Sequence, residues 1–266
     1  MDDRAIGVFD SGFGGLTVAR ALNDLLPAEE IVYVADTGRY PYGPRPLPEV
    51  TMFAEQITVK LIDEHDVKLV VVACNTAAAA ALDLLRFHHD TPLIGVIDPG
   101  MRAAIRATRN GRVGVIGTVG TIASGAYQRA AGQQRAPVQL TCAACPGFVE
   151  FVERGDTRSD QVHVLAERLL APVHAAGVDT LLLGCTHYPF LARTIGDVMG
   201  RDVVLVSSAD ETAFEVRTIL AATGLGLRSA GKGEHRWISS GDTATFRQLG
   251  RHLFGPEIDE VEEWAP

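Results

Sequence analysis

Two cysteines stand in matching contexts. Cys74 lies in Val71-Val-Ala-Cys-Asn-Thr76 and Cys185 in Leu182-Leu-Gly-Cys-Thr-His187. Each closes a short apolar run and is expected beside the N-terminus of a following helix, which Asn75 or Thr76 can cap after Cys74. A thiol at a strand's carboxyl end, beside unpaired backbone N–H groups, is biased toward thiolate. A single such cysteine would be read as a small buried hydrophobe; two in echoed positions point to chemistry. A pair of acid–base groups suits the inversion of a stereocentre. One group removes a proton from one face of a carbon and the other delivers a proton to the opposite face. Each must reach the carbon directly.

Other groups are weaker candidates. Asp10-Ser-Gly-Phe-Gly-Gly15 is a glycine-rich turn that could cradle an anion, with Asp10 either capping the next helix or meeting an ammonium. The dinucleotide spacing G-x-G-x-x-G is absent there, and Gly114–Gly120 reads G-x-x-G-x-x-G, so a nicotinamide or flavin cofactor is not indicated. Pro41-Tyr-Gly-Pro-Arg45 reads as a rigid turn whose Gly43 N–H could meet a carboxylate. His187, two residues after Cys185, could relay charge, whereas His88 and His89 read as surface residues. Cys142-Ala-Ala-Cys145 has redox spacing without the usual strand-then-helix context, and the reading is structural. Lysine occurs only at positions 60, 68 and 232, none in the setting of a pyridoxal anchor. No cofactor and no metal are expected.

These residues need a frame to hold them. Apolar runs at Ala5–Phe9, Glu30–Ala35, Lys68–Ala73, Leu93–Ile97, Arg112–Ile116, Pro137–Thr141, Asp179–Leu183, Asp202–Val206 and Arg236–Ser239 read as strands. Amphipathic stretches such as Phe53–Glu64 and Gln161–Ala176 lie between them. Continuous apolar runs alternating with helices imply parallel sheets covered on both faces, with ligands at the strands' carboxyl ends. Ile6-Gly-Val-Phe-Asp-Ser11 resembles Val113-Gly-Val-Ile-Gly-Thr118, 107 residues on; the two cysteine segments are 111 apart. Near-equal offsets imply two related α/β lobes. The turn-rich Asp98-Pro99-Gly100 marks the break, giving lobe one as 1–98 plus 208–266, with Cys74, and lobe two as 99–207, with Cys185. Ser229–Glu234 reads as a flexible loop and Glu257–Glu263 as a solvated acidic tail. The alanine run Ala77–Ala81 suits a helix packed closely on a sheet.

Composition bounds the function. The 266 residues are 47% hydrophobic and carry a formal charge of −9. No basic stripe suggests nucleic acid, no apolar run approaches a membrane span, and Met1-Asp2-Asp3-Arg4 lacks signal-peptide order. Four cysteines are too few for a disulfide scaffold, so a cytoplasmic protein with reduced thiols is expected.

Asp10-Ser-Gly-Phe-Gly-Gly15, Pro41-Tyr-Gly-Pro44, Ala73-Cys-Asn-Thr76, Val115-Ile-Gly-Thr118 and Leu183-Gly-Cys-Thr-His-Tyr-Pro189, in this order, together resemble the cofactor-independent bacterial glutamate racemases of the aspartate/glutamate racemase superfamily. The resemblance runs from about residue 5 to about residue 220. It implies two similar Rossmann/flavodoxin-like lobes with mainly parallel sheets and an active site in the cleft between them. It implies Cys74 and Cys185 as the proton-transfer pair, assisted by Asp10 and His187. Ser11, Tyr42, Gly43, Asn75, Thr76 and Thr186 match substrate-holding positions, as do Asp10 and His187; Thr118 and Thr121 match positions lining the same pocket, and Glu153 matches an acidic position near it. The implied substrate is glutamate, the implied product use is peptidoglycan synthesis, and the implied assembly is a homodimer. A gyrase interaction is reported for some members, and no residue here indicates it. Two other readings stay open on the residues: a racemase of aspartate or a hydantoin, and an amino-acid binding module without catalysis.

Overall fold

The computed structural model describes residues 2–134, 136–226 and 231–266, with the side chain of His252 left aside. Among the described residues there are ten strands: β1 (Ile6–Asp10), β2 (Ile31–Ala35), β3 (Leu69–Val72), β4 (Leu93–Gly95), β5 (Arg112–Gly117), β6 (Gln139–Ala144), β7 (Thr180–Gly184), β8 (Val204–Ser207), β9 (His235–Ser239) and β10 (Glu262–Glu263). They build two all-parallel sheets, of order β10-β9-β2-β1-β3-β4 and β6-β5-β7-β8. The chain divides into two compact units, Met1–Val96 with Ala209–Pro266, and Ile97–Ser208.

The first four strands of each unit follow one order: second, first, third, fourth. The register repeats as well. Ile6 pairs with Leu69 across β1 and β3, and Val113 pairs with Thr180 across β5 and β7. These pairs are related by the two offsets that relate the echoed segments. In both units the chain leaves the first strand toward one side of the sheet and reaches the third strand on the other. The carboxyl ends of these two strands therefore flank a switch point, where open parallel sheets bind ligands.

Burial on both faces explains why the strands read as unbroken apolar runs: β1, β2, β3 and β7 are buried throughout. In the second unit the helix Asp160–Ala175 turns Val162, Ala166, Leu170 and Val173 to the core with Leu181 and Leu183. That spacing is one face of a 3.6-residue helix, and Ser159 caps it by accepting the N–H of Val162 at 3.3 Å. In the first unit the helix Asn75–His88 buries Ala77, Ala78 and Ala81. It runs so near β4 that a Cβ on Gly95 would lie 3.2 Å from Ala78 Cβ and 2.6 Å from a Leu82 methyl.

Several expectations need correction. Asp98-Pro99-Gly100 is not a turn but the start of the helix Ile97–Ala107. The first helical N–H groups need no intrahelical partner, so proline fits there, and Asp98 complements the helix dipole. The units divide after Val96 and Ser208. The sixth strand runs Gln139–Ala144 rather than Pro137–Thr141, which takes Cys142 into the strand. The acidic end is not simply solvated. Ile258 is buried, Glu262–Glu263 pair with β9, and the Trp264 N–H donates to the Ser239 carbonyl at 2.9 Å. The open edge of β9 supplies the unpaired groups that recruit it. Of the predicted loop Ser229–Glu234, Ser229 and Ala230 lie outside the described residues, and the Gly233 N–H donates to Pro27 at 2.9 Å. Among the described residues no helix is long and apolar enough to cross a membrane.

Candidate active site

In the first unit the site gathers around the ends of β1 and β3. The Ala73 N–H donates to Phe9 at 2.9 Å, so Asp10-Ser11 and Cys74 leave the sheet side by side. Cys74 and Ser11 are both buried, and their Sγ and Oγ atoms are 3.7 Å apart. Cys74 has extended backbone angles and is the N-cap residue of the helix that Asn75 and Thr76 open, both buried. The thiol thus stands at the end of that helix where backbone N–H groups are exposed.

Asp10 is wholly buried. Its Oδ2 accepts the N–H groups of Gly12 at 3.2 Å and Gly15 at 2.9 Å, while Oδ1 has no partner among the described residues. Asp10 does not cap the next helix, whose N-cap is Gly15 without a side-chain cap bond; one of its oxygens fastens the turn instead. The turn's expected use as an anion cradle is correspondingly reduced, because two of its N–H groups already serve Asp10. The third glycine of the turn is required by space, since a Cβ on Gly15 would lie 2.5 Å from Asp10 Cβ. Tyr33 braces the turn from below, donating to the Gly12 carbonyl at 3.0 Å. Burial, with Asp10 and Cys74 nearby, raises its phenol well above the usual range and keeps it a donor.

Tyr42 is buried and Gly43 half-buried in the turn after β2. A residue not singled out in the sequence holds that turn. Asp36, fully buried at the end of β2, accepts a short hydrogen bond from the Tyr42 hydroxyl, one from Arg39 Nε at 2.7 Å and one from Ser240 Oγ at 2.6 Å. Burial and the Asp36 carboxylate push the Tyr42 phenol far above its ordinary value. A second aspartate directly after a strand, in Ala35-Asp36-Thr37, was the available signal.

In the second unit the corresponding ends are those of β5 and β7. Gly117 pairs with Gly184, so Thr118 and Cys185 follow directly from paired residues. Thr118 caps the short helix Val119–Ala123, accepting the Thr121 N–H at 3.2 Å, and the two hydroxyls are 2.9 Å apart. Cys185, Thr186 and His187 are buried. Cys185 precedes a turn and the 3₁₀ segment Tyr188–Leu191 rather than an α-helix. His187 places Nδ1 4.0 Å from Cys185 Sγ and Nε2 3.5 Å from Glu153 Oε1. The thiol and the carboxylate thus lie near opposite nitrogens of one imidazole.

The remaining candidates have structural settings. Cys142 and Cys145 are free thiols, half-buried and buried. Burial pushes Cys142 up to about 11 and Cys145 up to about 12, with Cys185 adding to the latter. Lys68 is buried against Glu29, with Nζ 2.5 Å from Oε2. His88 and His89 both face Glu55, at 3.5 and 3.0 Å. No group of three or more His, Cys, Asp or Glu placed to hold a metal occurs among the described residues.

Two parallel α/β units of one strand order, each with a cysteine beside its switch point, define a duplicated fold of the amino-acid racemase type. The chain belongs to the Asp/Glu/Hydantoin racemase family, whose model matches residues 6–215. It is 52% identical to the glutamate racemase of Acidothermus cellulolyticus over 98% of this chain and 99% of that protein. Among solved structures, the glutamate racemase isoform RacE1 of Bacillus anthracis aligns with a TM-score of 0.92 at 40% identity, covering 100% of this chain and 98% of that one. The glutamate racemase of Francisella tularensis, solved in complex with D-glutamate, aligns with a TM-score of 0.91 at 32% identity, covering 99% and 98%.

Proposed function

We propose that this protein interconverts L- and D-glutamate, with Cys74 and Cys185 as the two acid–base groups. The observation that carries the reading is the pair of thiols at equivalent strand ends of two repeated units. One thiolate removes the α-proton and the other thiol protonates the opposite face; the reverse reaction exchanges the roles. Asp10 assists Cys74, and His187, backed by Glu153, assists Cys185. The α-carboxylate withdraws charge poorly, so the carbanion-like state needs donors aimed at it in a water-poor site. Ser11, Asn75, Thr76, Thr118, Thr121 and Thr186 supply hydroxyl, amide and backbone donors, with Tyr42 and Gly43 completing the substrate's surroundings. An acidic protein binds a substrate with two carboxylates and one ammonium through such local donors, not through net charge. The proposal includes a cytoplasmic homodimer that supplies D-glutamate for peptidoglycan.

Turnover in deuterated water tests this: each inversion should place solvent deuterium on the α-carbon. Cys74→Ala and Cys185→Ala should each lower racemisation by about a thousandfold or more, given what positioned proton transfer contributes. Wild-type rates in both variants would refute the two-thiol mechanism. L-aspartate assayed beside L-glutamate separates the substrate classes. Tight glutamate binding without α-proton exchange would identify a binding module instead.

A further inference from the structure

The end of the chain reaches back to the turn that carries Tyr42 and Gly43. Pairing of β10 with β9 and the bond from the Trp264 N–H to Ser239 hold the Trp264 backbone at the edge of the sheet. The Arg39 guanidinium lies 5.5 Å from that ring and 4.2 Å from the ring of Phe53, between an indole and a phenyl face. Phe53 in turn packs on Tyr42, with ring centroids 5.5 Å apart. Arg39 Nε donates to Asp36, and Nη1 makes a short hydrogen bond to Gln56. The same Asp36 carboxylate holds the Tyr42 hydroxyl and accepts from Ser240, at the end of β9. Every link from Trp264 to Tyr42 lies within the first unit.

We propose that Trp264 and Arg39 are positioning residues for glutamate binding: the C-terminal strand clamps Arg39 over Asp36, and Asp36 sets the Pro41–Pro44 turn. The inference rests on the reading above, in which this turn touches the substrate. An exposed carboxylate–guanidinium pair would contribute little. Here the carboxylate is fully buried and the guanidinium is largely covered by rings, so its orientation is restricted. Removing the indole frees Arg39 to leave Asp36 and loosens the tyrosine that the same oxygen anchors.

The test compares Trp264→Ala, Trp264→Phe and Arg39→Ala in the full-length protein. KM and kcat are measured in both directions, and amide exchange is followed across residues 37–46 of the free protein. Trp264→Ala should raise KM for both enantiomers about threefold with kcat within about twofold, from the loss of one cation–π contact. Arg39→Ala should raise KM about tenfold or more, and Trp264→Phe should restore the wild-type value. Exchange at 37–46 should quicken about tenfold in Trp264→Ala while the other strands keep their protection. Unchanged KM and unchanged exchange in Trp264→Ala would overturn the proposal. So would a fall in kcat at constant KM accompanied by a lower melting temperature, which marks a merely structural role. A wild-type protein that does not racemise glutamate would instead refute the preceding reading, and the exchange measurement would still decide whether the strap holds the turn.

Discussion

The two units place their cysteines alike and surround them differently. By the 107-residue offset, Ser11 corresponds to Thr118 and Asp10 to Gly117; by the 111-residue offset, Cys74 corresponds to Cys185 and Thr76 to His187. The first unit sets its assisting group at the end of its first strand, as a carboxylate fastened by two backbone N–H groups. The second has glycine at that position and carries an imidazole two residues past its thiol, backed by Glu153. A repeated sheet therefore settles where a thiol stands, while the residues just beyond the strands differ between the units and set which polar group stands near it. The two strand-end settings are similar in topology and differ in chemistry: under the proposed function the helper is a carboxylate in the first unit and an imidazole in the second.

Removing each helper attacks this contrast most directly. Asp10→Asn and His187→Asn should each lower kcat/KM by roughly a hundredfold to ten-thousandfold, the range for a positioned acid–base partner. Because enantiomers are equal in energy in water, kcat/KM must fall equally in both directions for each variant. The contrast should appear in pH profiles of kcat/KM, which should differ in shape between His187→Asn and Asp10→Asn because one variant loses an imidazole and the other a carboxylate. Identical profiles for the two variants would mean that the helpers are not chemically distinct.

A core substitution gives a smaller effect and separates stability from chemistry. Leu170 is fully buried in the core of the second unit, and Leu170→Ala should cost about 2–5 kcal/mol of unfolding free energy, measured by denaturant titration. At low denaturant kcat per folded molecule should be retained within about threefold. A selective loss of activity without loss of stability would show that the scaffold of the second unit tunes its thiol rather than only placing it.

The weakest expected effects are in pH dependence of stability, and the units should differ in sign. His235, in the first unit, has its pKa lowered by burial and then by Lys232. The unfolded chain takes up its proton first as pH falls, so stability should decline below about pH 6.5 and level off below the folded-state value. Cys142 and Cys145, in the second unit, are raised to about 11 and about 12 by burial. The unfolded thiols ionise first, so their contribution is complete below about pH 9 and is lost as pH rises through the folded values. Melting temperature against pH should show an acid limb flattened by His235→Gln and an alkaline limb flattened by Cys142→Ala. Exchange of those assignments would contradict the account.

What could be read from the amino-acid order depended on how far a feature's causes lay apart along the chain. The parallel strands were legible because burial on both faces leaves a continuous apolar run, as in Leu69–Val72 or Thr180–Gly184. The repeat was legible because the thiols and the first strands of each half recur at near-constant separation. Asp98-Pro99-Gly100 misled because proline and glycine are as compatible with a helix's first turn as with a loop. Asp36 was not legible because its partners come from two distant stretches, Arg39 and Tyr42 beside it and Ser240 more than 200 residues away. The acidic end hid its strand because two residues are too short to show alternation; what recruits them is the edge of β9.

The first unit is made of two separated stretches of chain, and the second is continuous. During synthesis from the N-terminus, β5 to β8 are all available once Ser207 has emerged, and that sheet needs nothing further. The β2 strand instead waits for His235–Ser239, some 200 residues later, to cover its outer side. At ribosomal speeds that interval is roughly ten to forty seconds. For that time a buried-type strand, Ile31-Val-Tyr-Val-Ala35, has one backbone edge without its β9 partner.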